Sequence, residues 1–119
     1  MKLNYITVGD TRFAVLEEGA IMSVADALDF IATASYNGAA GMVVPMELLA
    51  PEFFDLKTRL AGDILQKCVN YSMRIAIVGD FSGYTSKALA DFIRESNRGR
   101  HVLFKSSSEE AVSALAALC

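Results

Sequence analysis

No stretch of the chain approaches 18 uninterrupted apolar residues, the minimum for a membrane-spanning helix. The opening Met1-Lys2-Leu3-Asn4-Tyr5-Ile6-Thr7 has neither the apolar core nor the small-residue cleavage site of a secretory leader. Both absences argue against a membrane partner and against export, and the expected compartment is the cytoplasm. Cysteine is scarce as well. Cys68 and Cys119 lie far apart in apolar surroundings, match neither a metal knuckle nor a redox CxxC, and are expected to be structural thiols. Eleven Lys and Arg against fourteen Asp and Glu leave a net charge of −3, and no basic cluster exceeds Arg94, Arg98 and Arg100, so a nucleic-acid partner is disfavoured. The sole histidine, His101, would have to carry any Ser/His/Asp or Cys/His system alone, and is expected to be a half-buried structural side chain. Internal repeats, linkers and low-complexity tracts are absent, and nothing in the pattern calls for a metal or an organic cofactor.

What is present is apolar. Hydrophobic residues make up 53% of 119 and charged ones 21%, with a mean hydropathy of +0.34. A single domain of this size buries about two-thirds of its extended surface, enough to fold without staples. The apolar excess points to a buried parallel sheet, to a subunit interface, or to both. A homodimer is therefore expected.

The elements can be placed along the chain. Asn4 to Val8 and Arg12 to Leu16 are β-rich runs separated by Gly9-Asp10-Thr11, which predicts an antiparallel hairpin. Ser23 can cap a helix with Val24, Ala27, Leu28, Ile31 and Ala32 at helical spacing, ended by Asn37-Gly38. Gly41 to Pro45 suits a central strand. Beyond the loop Met46 to Ala50, a long helical pattern starts through Pro51 and Glu52 and carries Leu56, Leu60, Ala61, Ile64, Leu65, Cys68 and Val69 on one face. Opposite lie Arg59, Asp63 and Lys67, spaced for i,i+4 ion pairs, while Gly62 beside Ala61 suggests close packing against the sheet or a second subunit. Arg74 to Gly79 is a buried strand, Leu89, Phe92 and Ile93 mark the inner face of a helix ending near Asn97-Arg98-Gly99, and His101 to Lys105 is a last strand. Ser106-Ser107-Ser108-Glu109-Glu110 then caps a final helix through Leu118. The resulting order, ββαβαβαβα, predicts an α/β domain with a mainly parallel sheet and one antiparallel pairing, from the N-terminal hairpin.

Four runs carry a family resemblance: Phe53-Phe54-Asp55-Leu56-Lys57-Thr58, Leu60-Ala61-Gly62-Asp63-Ile64-Leu65-Gln66-Lys67, Ala76-Ile77-Val78-Gly79-Asp80-Phe81-Ser82, and Asp91-Phe92-Ile93-Arg94-Glu95-Ser96-Asn97. Over essentially its whole length the chain resembles the bacterial "domain of unknown function 4180" family, a likeness that implies no substrate or reaction. The element order is also similar to that of STAS-like domains, the class of the anti-sigma factor antagonists, and that likeness implies a regulatory domain acting by partner switching. Those domains carry an aspartate followed by a phosphorylatable serine at the start of the second helix. Asp55 holds the aspartate's place here, Leu56 and Lys57 follow it, and Thr58 is the only hydroxyl nearby.

In an open α/β sheet, ligands gather where strands end at their carboxyl edge, which here collects the loops Pro45 to Thr58 and Gly79 to Lys87. Phe54, Phe81 and Tyr84, with Phe53, supply aromatic surface that could anchor a partner protein, at least one of them partly exposed. Phe53 and Phe54 are adjacent, so only one is expected to be fully buried. Asp55, Lys57 and Arg59 could meet an anionic ligand or a partner's charges. Asp80, Ser82 and Lys87 flank a glycine-bearing loop entering a helix, where free amides could hold a nucleotide, phosphate or carboxylate, although Thr85 or Ser86 can equally cap that helix. Glu47 and Glu52 could pair with Asp55 as a carboxylate dyad, but exposed loop charges account for all three. The favoured reading is a non-enzymatic interaction domain, with a small anionic-ligand protein as the alternative and a small enzyme using His101 or Asp55 as general base as the third.

Overall fold

A computed structural model describes residues 1–119. Its five strands are β1 (Lys2–Val8), β2 (Thr11–Glu18), β3 (Ala39–Pro45), β4 (Arg74–Val78) and β5 (Val102–Lys105), lying side by side in chain order. β1 pairs antiparallel with β2, and the other three pairings are parallel. Val8 faces Thr11 across a two-residue turn whose first position, Gly9, takes φ 61°, the left-handed conformation such hairpins require. The predicted topology is thus the observed one.

Four helices complete the fold: α1 (Val24–Tyr36), α2 (Leu60–Asn70), α3 (Lys87–Arg98) and α4 (Ser108–Leu118). Ser23, Ser86 and Ser107 each cap a helix, their hydroxyl oxygens accepting from the amides of Asp26, Leu89 and Glu110. Strand-helix-strand crossovers are right-handed, and here all three step the same way across the sheet, so α1, α2 and α3 must land on one face. α4 has no strand to return to and folds onto the other. A core of 21 buried residues fills the first face, including Phe30, Phe53, Ile64, Ile75, Ile77 and Leu89. A core of eight, centred on Phe13, Val43, Leu103 and Leu115, lies under α4.

The region before α2 departs from expectation. In place of one long helix from Pro51 onward, the chain makes two single 3₁₀ turns, Pro51–Phe54 and Leu56–Thr58, and α2 starts only at Leu60. Asp55 is extended between the turns, and Arg59 takes φ 66° immediately before the helix. The break places two adjacent phenylalanines in the core. Phe53 and Phe54 are both buried, 1% and 5% exposed, with rings edge-to-face at 5.1 Å, against the expectation that only one of them would be. The Arg59–Asp63 and Asp63–Lys67 ion pairs do not form; Arg59 lies outside helical geometry, and the four ion pairs of the molecule are elsewhere. Gly62 faces solvent, and a Cβ placed there would meet nothing within 4 Å, so close packing against the sheet does not explain it. Cys68 is buried as expected, and burial pushes its thiol up to about 12, but Cys119 is exposed at the chain end. No helix is long and apolar enough to cross a membrane.

Candidate functional site

The loops after β3 and β4 do meet at the carboxyl edge of the sheet. The turn before α1 joins them: Ile21 bridges to Leu49, with its amide donating to the Leu48 carbonyl at 2.7 Å and its carbonyl accepting from Ala50 at 2.9 Å. That lashing brings Met22 to the same edge. Gly79, at the end of β4, lies so close to Met46 that a Cβ would overlap the thioether, so a glycine is needed there for close approach.

Aromatic rings link the elements of the edge. Phe54 stacks on Tyr84 at 5.1 Å and lies 6.1 Å from Phe81. Phe81 meets Phe104 of β5 edge-on at 5.3 Å, and Phe104 meets Phe92 of α3 at 6.0 Å. Tyr84, 39% exposed, is the outward end of this chain of rings, and Phe81 is half-buried. The expectation of a partly exposed aromatic is thereby met. Two grooves flank the Phe54–Tyr84 stack. One, of about 440 Å³, is lined by Met22, Met46, Leu49, Pro51 and, at its rim, Glu47. The other, of about 340 Å³, is shallower and more polar, bordered by Asp55, Leu56, Gly83, Thr85 and Ser86.

The charged candidates do not converge on those grooves. Lys87 donates to Asp91 at 2.8 Å along α3, and that carboxylate raises its pKa. Arg94 takes the other Asp91 oxygen, and the two cations hold the Asp91 carboxyl below its ordinary range. Asp80 accepts from the Ser82 amide at 3.0 Å, and hydrogen bonds from Ser82 lower its pKa. The Asp80 carboxylate and the Ser86 cap thus occupy two of the amides an anion would use. Asp55 takes the Lys57 amide at 3.2 Å, and neither Lys57 nor Arg59 enters an ion pair. Thr58 is part of the turn: its hydroxyl lies 2.7 Å from the Glu52 carbonyl and 2.8 Å from that of Asp55, and it accepts from Leu60 at 3.3 Å. Nowhere do three His, Cys, Asp or Glu side chains come together as metal ligands could.

His101 is exposed, not half-buried, and because it precedes β5 it lies at the amino edge of the sheet, away from the grooves. Met22 and Met46 are the lining residues that sequence reasoning did not single out. For Met46 there was a signal, the glycine that ends β4; for Met22 there was none, because its placement depends on the non-local Ile21–Leu49 bridge.

A family model described as a domain of unknown function (DUF4180) matches residues 10–115. No curated protein and no solved structure matches the chain.

Proposed function

The chain belongs to the DUF4180 family, and from that premise we propose that it is a non-enzymatic interaction domain of the cytoplasm that binds a partner protein at the carboxyl edge of its sheet. The observation that carries this reading is the methionine-lined groove beside the Phe54–Tyr84 stack. A half-exposed aromatic backed by buried rings is a rigid anchor, and thioethers adapt their shape to an incoming side chain. The occupant is an apolar side chain from a partner segment, with Glu47 at the rim favouring a neighbouring cation. The regulatory role that the STAS likeness implies is kept, with the groove as its contact; Thr58, whose hydroxyl holds the turn together, is a poor phosphate acceptor. The anionic-ligand alternative finds less support, since Lys87 is engaged by Asp91 and Ser86 caps α3.

A photo-crosslinking phenylalanine analogue at Tyr84 should yield one discrete protein adduct in the native host. The same analogue at exposed Asn70 should yield none, and Met22→Glu should abolish the Tyr84 adduct. Equal adducts at both positions, or none at Tyr84, would end this reading.

A further inference from the structure

The two edges of the sheet are finished differently. β5 has four residues, and its outward Phe104 amide donates to the Asn97 side chain of α3 at 2.8 Å, which plugs that edge. β1 has seven residues, no proline, and one charge, Lys2, at its start. Apart from the ladder to β2, no backbone group of residues 2–8 is hydrogen-bonded within the chain. An open strand of this length is a template for another strand. Beside it, α4 leaves the sheet incompletely covered. Ile6 is half-buried, Val8 is 43% exposed, and a groove of about 400 Å³ separates them from Val112 and Ala116.

We propose that this edge pairs antiparallel with β1 of a second copy, about a two-fold axis normal to the sheet at Ile6, joining two five-stranded sheets into one. A two-fold of that kind sets residues of the same face opposite each other, so the axis passes through a residue. Through Ile6, it places Ile6 against itself and Asn4 against Val8, and brings Lys2 of one copy, which lies 3.9 Å from Glu17 of its own chain, to the Gly9-Asp10 turn of the other. The two apolar grooves beside α4 then become neighbours. Through Tyr5, it would set Lys2 against Val8 and Asn4 against Ile6, taking Lys2 away from Asp10 of the other copy. The Lys2–Glu17 pair is exposed, so its ammonium can also meet Asp10 of the opposing turn, and that complementarity, repeated on both sides of the axis, favours a second copy over a strand from another protein. This pairing replaces α2 as the dimer contact and does not depend on the carboxyl-edge reading.

Sedimentation equilibrium tests it. The chain should dimerise, and Asn4→Lys with Val8→Lys, which sets lysine against lysine twice, should weaken the dimer at least about 100-fold. Both positions are exposed, so the melting temperature of the dilute monomer should hold. In a Cys119→Ser background, Asn4→Cys with Val8→Cys should form disulfide-linked dimers on mild oxidation, because directly opposed Cβ atoms lie within about 5.5 Å. Tyr36→Cys, on α1, should form none. A chain that stays monomeric at high concentration, a dimer indifferent to the lysine pair, or crosslinking no better than Tyr36→Cys would overturn the proposal.

Discussion

Three helices lie on one face of the sheet and one on the other, and this inequality follows from the route of the chain. Each crossover steps in the same direction, so α1, α2 and α3 share a face, and only the terminal α4 is left for the opposite one. The crowded face holds the larger core and the line of rings that reaches Tyr84. The thin face holds eight buried residues, of which Phe13 is the only aromatic. Stability and the candidate binding edge are therefore concentrated on the same side, while the thin face depends on one helix with no strand beyond it.

A pair of core truncations would separate the faces most sharply. Phe53→Ala should cost about 3–5 kcal/mol and lower the urea midpoint of the whole molecule. Leu115→Ala should cost about 2–5 kcal/mol, with hydrogen exchange rising first in α4. If both variants loosened the same amides, the two faces would be one cooperative unit and the comparison would fail. Gly79→Ala should cost about 1–3 kcal/mol by forcing Met46 aside on the crowded side. Combining it with Met46→Ala should recover part of that loss, a coupling that a double-mutant cycle measures.

Gly62→Ala tests the outer surface of α2. With open space around its Cβ, the substitution should raise stability by up to about 1 kcal/mol through helix propensity alone and leave dimerisation unchanged. A weakened dimer would show instead that a second copy packs on α2. The smallest effect is electrostatic. Asp80 and Asp91 have lowered carboxyl pKa values in the folded state, so their contribution is present above the ordinary carboxylate value of about 4 and is lost as pH falls through the lowered one. Lys87, whose pKa the Asp91 carboxylate raises, is the other end of the same pair, which is also lost at high pH as pH climbs through that raised value. Acidification below about pH 4 should therefore loosen the Asp80–Asp91 segment, visible as rising amide exchange at Ser82 and Leu89.

Most of the fold was legible because each element carried local signals: serine caps before three helices, a glycine turn in the hairpin, and apolar runs for the inner strands. The stretch 51–59 was not. Its apolar spacing is helical, yet the chain breaks there and seats Phe54 against Tyr84, a contact distant in sequence that no local pattern announces. The same limit applies to the site. Phe54, Phe81 and Tyr84 could be gathered by topology, because parallel strands deliver their loops to one edge. The engagement of Lys87 by Asp91 needed only an i,i+4 spacing on α3 and was readable in principle. Met22 was not readable, since a bridge between two loops places it.

The two cysteines differ in a way that makes the chain its own timer. At neutral pH a thiol reagent meets Cys119 at once, whereas Cys68, buried on the inner side of α2 and with its thiol pushed up to about 12, reacts only when that helix lifts. The slow phase of labelling thus counts spontaneous openings of the crowded face in the unaltered protein, and any molecule that clamps α2 in place should lengthen it.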